Sequence, residues 1–283
     1  MTAMTTATIA EKTAPVAEPI AEHRAPALDP DWRFFFDLKG WILLPGILPE
    51  CQTRSVREHL LAGGSSFTGP AQELLDHPLV AEVLDDILGG GRGSPESHHF
   101  RCENSFPSIR SAGWRPGSTD VPHVVLDART GGPMTYQCRN GAISSGLTRV
   151  VWELNPVRAG MGGTAFLSGT HKAELPFPAA LRVPSNAHLE SYSCPAGSVF
   201  IFSESLLHAS MPWLDEQHQR VSIFSAYNSL WAQWHRLNLE PEIIETMPPK
   251  RQGLFRGTYA IDFKADSPTT GYNHTYSPLN RAL

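Results

Sequence analysis

Hydrophobic positions along the chain change their period twice. Up to residue 29 the chain is Ala, Thr, Pro and Glu with scattered charge and no usable periodicity, the pattern of a disordered tail over 1–29. From Asp31 the run WRFFFDLKGWILLPGILP predicts a short amphipathic turn and then an apolar strand at Trp41–Leu44. Two helices are predicted next, one from about Pro49 to Leu61 and one from about Pro70 to Leu88, the second stopped by Gly89-Gly90-Gly91. Beyond Phe100, segments rich in Val, Phe, Tyr and Thr alternate with Gly, Pro, Asn and Ser: HFRCENSF, MTYQC, LTRVVWELNP, GTAFLSG, SYSC, SVFIFS and RVSIFSAYN. Seven or eight short strands at this spacing predict a sandwich or barrel. A last helix is expected over Leu230–Met247. The pattern as a whole reads as a single mainly β domain over 30–283, helices first and then a jelly roll.

Composition narrows the function classes. With 41% hydrophobic residues, the 283-residue chain is not wholly disordered. No run approaches the roughly 20 uninterrupted apolar residues that cross a bilayer, so no membrane span is expected. The net charge is 23 − 28 = −5 with no Lys/Arg block, which argues against a nucleic-acid partner. Cys51, Cys102, Cys138 and Cys194 are far apart and form no CxxC, so a zinc ribbon or thioredoxin motif has nothing to build on. The N-terminal residues have neither the basic nor the continuous apolar region of a signal peptide, and a cytoplasmic location with reduced thiols is expected. The GGGRG run at 89–93 follows a helix and lacks the Lys-Ser/Thr ending of a phosphate loop, so it reads as a helix stop. No GxSxG elbow supports serine hydrolysis.

Three features of the β-rich half belong together: His123 in STDVPHVVLD, His208 in SVFIFSESLLHASMPW, and Arg220 opening RVSIF with Ser222 two residues on. Side chains at i and i+2 of a strand face the same way, so Arg220 and Ser222 could together bind one carboxylate. A barrel-interior Arg implies an anion, either a ligand or an acid such as Glu204. Two imidazoles on neighbouring strands could supply two ligands of a non-haem iron centre. Gln137 in MTYQC is a candidate for cofactor or substrate hydrogen bonding, and Arg101 and Asn104 for lining the pocket. The His98-His99 pair is expected to be exposed, His171 to serve loop structure, His188 to lie on the surface, Trp152 in the core, and Trp231 and Trp234 in helix packing.

The stretch GMGGTAFLSGTHK followed by the His208…Arg220 pair resembles the phytanoyl-CoA dioxygenase-like branch of the Fe(II)/2-oxoglutarate oxygenases, a likeness that covers roughly residues 30 to 230. The resemblance implies a double-stranded β-helix (jelly roll, cupin-like) with flanking helices. It implies iron held by His123 and His208, and 2-oxoglutarate with its distal carboxylate on Arg220 and Ser222. The implied activity is oxidation of a small organic molecule, by hydroxylation or related C–H chemistry, in specialised metabolism.

The family's His-x-Asp/Glu is here His123-Val124-Val125, so Val125 stands where the third ligand is expected. Three fillings stay open: Asp127 reaching back through a turn, another acid such as Asp120, or water beside Val125. Charge balance favours Asp127, although on an extended strand it would lie roughly 13 Å from His123. Two other functions stay open as well. One is a binding or partner subunit that has lost the ligand. The other is a halogenase, against which Val125 stands because its isopropyl group would fill the halide position.

Overall fold

The computed structural model describes residues 27–93, 95–117, 121–125, 132, 134–183, 186–237 and 239–258, with two paired backbone segments, 263–264 and 273–274. Helix α1 (Trp32–Lys39) buries Phe36 and ends at Gly40, whose φ of 84° lets its N–H reach the Phe36 carbonyl at 2.7 Å. A Cβ at Gly40 would stand 2.5 Å from His171 Nδ1. Gly40→Ala is therefore expected to cost about 2 kcal/mol, the left-handed penalty plus a displaced imidazole, read as a lowered denaturation midpoint. The apolar run after it forms strand β1 (Trp41–Leu44).

Helix α2 (Glu50–Leu61) buries Thr53, Val56 and Leu60 along one stripe. The next predicted helix is broken in two. Residue His77 precedes Pro78 and is held extended (φ −48°, ψ 129°), so a 3₁₀ turn (Gly69–Asp76) ends there and α3 (Pro78–Ile87) starts afresh with Pro78 in its first turn. Helix α3 buries Val80, Val83, Leu84 and Ile87, an i, i+3, i+4, i+7 stripe.

The strands are β2 (Phe100–Arg110), β3 (Gln137–Arg139), β4 (Ala142–Ser144), β5 (Thr148–Glu153), β6 (Gly163–Leu167), β7 (Glu190–Ser191), β8 (Ser198–Ser203), β9 (Leu207–Met211) and β10 (Arg220–Ser229). They form an antiparallel five-stranded sheet in the order β1-β8-β5-β10-β2 and a three-stranded sheet in the order β7-β6-β9, with β3-β4 a separate hairpin. Every residue of β8 is buried because both faces are covered. Val199 and Ile201 join the cluster beneath the helices, while Phe200 and Phe202 join Trp41, Phe166 and Tyr192 between the two sheets. Strand β5 divides likewise, with Val150 and Trp152 on the helix side and Val151 on the inner side.

The helix expected over Leu230–Met247 does not form. Strand β10 runs to Ser229, and the N–H groups of Trp234 and His235 donate to the buried Glu103 carboxylate at 2.8–3.0 Å instead of to a helix of their own. Trp231 and Trp234 are half exposed rather than packed. Two short helices, α4 (Pro241–Glu245) and α5 (Pro249–Gln252), follow, each opened by a proline. Residues 1–26 of the expected tail lie outside the described residues, while Leu28 packs against the core.

Candidate metal centre

His123 and His208 are brought together by the backbone. They form an antiparallel bridge, each N–H donating to the other's carbonyl at 3.0 Å, which extends the three-stranded sheet beyond β9. Their ring centroids are 4.5 Å apart. His123 Nδ1 lies 2.7 Å from the Val121 carbonyl and His208 Nδ1 lies 2.8 Å from the Leu206 carbonyl. A carbonyl oxygen can only accept, so in both rings Nδ1 carries the proton and Nε2 keeps its lone pair, the tautomer a metal-binding imidazole needs. Burial pushes the His208 imidazole down to about 4, so it is neutral near pH 7.

The sequence reading did not single out the carboxylate beside them as part of this site. Glu204 lies in the turn between β8 and β9 and is fully buried. Its Oε1 accepts from Arg149 Nε at 2.5 Å, and Arg149 Nη1 donates to Asn104 Oδ1 at 3.1 Å. Its Oε2 stands 3.5 Å from His208 Nε2 and, among the described residues, has no hydrogen-bond partner. Burial works to raise the Glu204 carboxyl, but Arg149 and the two imidazoles hold it below the usual carboxylate range. The Val125 N–H donates to the Glu204 carbonyl at 3.1 Å, so the position expected to carry the third ligand lies against Glu204's own backbone. Asp127 and Asp120 lie outside the described residues. As the side chains stand, no three His, Cys, Asp or Glu among the described residues are grouped to hold an ion. Two adjacent imidazoles are in place, with one unpartnered carboxylate oxygen beside them.

Arg220 is inside, with 1% exposure, and it already faces an anion. That acid is Glu153, which sequence reasoning did not name, and not Glu204. Arg220 Nε donates to both Glu153 oxygens at 3.2 Å, and Nη2 donates to Glu153 Oε1 at 2.5 Å, to Thr164 Oγ1 at 3.2 Å and to Tyr192 Oη at 3.3 Å. Nη1 is buried and, among the described residues, has no partner. The Ser222 hydroxyl donates to the Ser108 carbonyl at 3.3 Å. Arg149 and Glu153 sit on one face of β5, about 13 Å apart at four residues. One ion pair therefore lies at the histidine end of the interior and the other at the Arg220 end.

The other candidates stand apart. Gln137 donates to the Gly132 carbonyl and lines a 450 Å³ cavity with Asp37, Tyr136 and Lys172 that includes neither histidine. A 960 Å³ cavity lined by Asp76, Asp85, His98 and Arg251 lies on the helical side, and it too includes neither. His98 and His99 are buried, not exposed. His98 sits between Asp76 and Asp85, which hold its pKa above the ordinary value against the opposing effect of burial. His171 is buried in its loop with Nε2 3.0 Å from the Asp37 carbonyl, His188 is exposed, and Trp152 is in the core.

No family model and no curated protein matches the chain. Solved structures do. HygX from Streptomyces hygroscopicus with iron bound is 17% identical, with a TM-score of 0.57 over 77% of this chain and 94% of that one. HygX with nickel, 2-oxoglutarate and hygromycin B bound is 16% identical, with a TM-score of 0.57 over 76% and 94%. At these identities the likeness is one of architecture. The chain shares with HygX a mainly β jelly-roll fold with flanking helices.

Proposed function

We propose that the chain is an Fe(II)- and 2-oxoglutarate-dependent oxygenase, similar to the phytanoyl-CoA dioxygenase-like branch, acting on a small organic molecule. The observation that carries this is the His123–His208 bridge with both Nδ1 atoms tied to carbonyls and both Nε2 lone pairs left for a metal. Imidazole suits a divalent first-row metal, and HygX, which shares the fold, is seen with iron bound in one structure and with nickel and 2-oxoglutarate bound in another. When bound, iron and 2-oxoglutarate would let O₂ act as the oxidant of a substrate C–H bond, one oxygen atom passing to succinate as 2-oxoglutarate loses CO₂ and the other to the oxidised product or to water.

This chain's own residues would do the rest. His123 and His208 hold the metal, and the carbonyls of Val121 and Leu206 fix their orientation. Arg220 offers Nη1, its one unpartnered donor group among the described residues, to the distal carboxylate of 2-oxoglutarate. Ser222 lies two residues along on the same strand face, and its hydroxyl can turn from the long bond to Ser108. The Phe166, Phe200 and Phe202 rings line the interior and exclude water from the reacting region. Activity in the chain as it exists is tested by supplying Fe(II), 2-oxoglutarate and O₂ and measuring succinate. Succinate formation above the rate without Fe(II) is the expected result. If the chain takes up neither Fe(II) nor 2-oxoglutarate, the reading gives way to a ligand-binding jelly roll.

A further inference from the structure

Two acceptor atoms lie close together at the histidine end of the interior. Because His208 Nδ1 donates to the Leu206 carbonyl, Nε2 keeps its lone pair, and the unpartnered Glu204 Oε2 stands 3.5 Å away. Exchanging the tautomer does not relieve this, since a bare Nδ1 would then sit 2.8 Å from the Leu206 carbonyl oxygen. A metal ion answers both lone pairs at once. Two ligand atoms about 2.1 Å from one ion stand about 3.0 Å apart at an octahedral angle and about 3.4 Å at a tetrahedral one, close to the gap observed.

We propose, resting on the iron-centre reading above, that Glu204 is the third protein ligand, reaching the metal from the β8–β9 turn in place of a carboxylate at residue 125. The groups behind it suit that role. Arg149 holds Oε1 and is itself held by Asn104, so the carboxylate is oriented with one oxygen left over. Glu204 and Val125 are joined through the backbone, so moving the carboxylate from one to the other shifts its origin by one neighbouring segment. A small turn of the Glu204 side chain, away from an oxygen position where it has no partner among the described residues, brings Oε2 toward both imidazoles.

The full chain, stripped with chelator, is titrated anaerobically with Co(II) and followed by visible absorption. The unaltered protein should bind one Co(II), and Glu204→Gln should weaken binding by roughly 100-fold or more, beyond what loss of a group supporting a ligand costs. Glu204→Gln also leaves Arg149 without its anion, so a crystal of the unaltered protein soaked in Co(II) reads the ligand set without any substitution. Anomalous density within about 2.2 Å of Glu204 Oε2 is expected there. Density held by His123 and His208 with Asp127 or water as the third ligand overturns the proposal, as does a folded Glu204→Gln chain that binds Co(II) as tightly as the unaltered one. Either outcome leaves the iron-centre reading standing. An unaltered chain that takes up no Co(II) overturns both.

Discussion

Arg220→Ala is expected to destabilise the protein by about 3–5 kcal/mol, the range for removing one partner of a buried ion pair. The reason is Glu153. It is fully buried and accepts from Arg220 Nε and Nη2, and without them only the Tyr192 hydroxyl at 2.6 Å remains to satisfy it among the described residues. A carboxylate left in that position is an uncompensated charge in an aromatic interior. Urea denaturation at unchanged m-value measures the loss. The double variant Arg220→Leu with Glu153→Leu should recover part of it, because no buried charge is then left alone. A loss below about 1 kcal/mol for Arg220→Ala would mean that the pair is not sealed from water. This bears directly on function. Loss of succinate formation in Arg220→Ala alone would not establish a cofactor role, since the scaffold fails with it. Arg220→Lys keeps the charge but lacks the planar fork, and it separates the two effects.

Removing either imidazole of the proposed metal site is the second large effect expected. His123→Ala and His208→Ala should each weaken Co(II) or Fe(II) binding by more than the roughly 10–100-fold that follows loss of a group behind a ligand. His98→Ala, His171→Ala and His188→Ala should leave the metal stoichiometry at one per chain. His98 is the sharpest control, because it too is a buried histidine beside carboxylates, Asp76 and Asp85, yet it lies on the helical side of the molecule. Equilibrium dialysis against Fe(II) under argon decides the matter. Undiminished iron in His208→Ala would show that the bridge with His123 is a structural pairing only.

Much of the architecture was legible because this sheet is buried on both faces. A run such as VFIF at 199–202 is apolar at every position only when one face meets helices and the other meets a second sheet, and β8 does both. The misread stretch after Ser229 has helix-forming residues, but Glu103, far away in sequence, claims its N–H groups. The histidine pair was reachable from sequence; its neighbours were not. An extended chain puts residues four apart roughly 13 Å from each other, and by that reasoning Glu204 is out of reach of His208. The tight turn between them, closed by the Leu206 N–H on the Ser203 carbonyl at 2.9 Å, makes them neighbours. A signal for the inner ion pairs was present in the alternation Arg149-x-Val151-x-Glu153, which places both charged groups on the inner face of β5.

The link between β8 and β9 also sets how much change in length the chain can absorb. Most connections lie over the surface, where an extra residue adds little to the entropy of closure and disturbs no pairing. Here the chain passes from the five-stranded to the three-stranded sheet within a few residues, and β9 is locked to β6 in a register that sets His208 opposite Phe166 and Ser210 opposite Thr164. One inserted residue would either break that register or turn every side chain of β9 to its opposite face, exchanging His208 with the buried positions that Leu207 and Ala209 hold. Indels should therefore be far scarcer here, across natural variants of this chain, than in the surface connections.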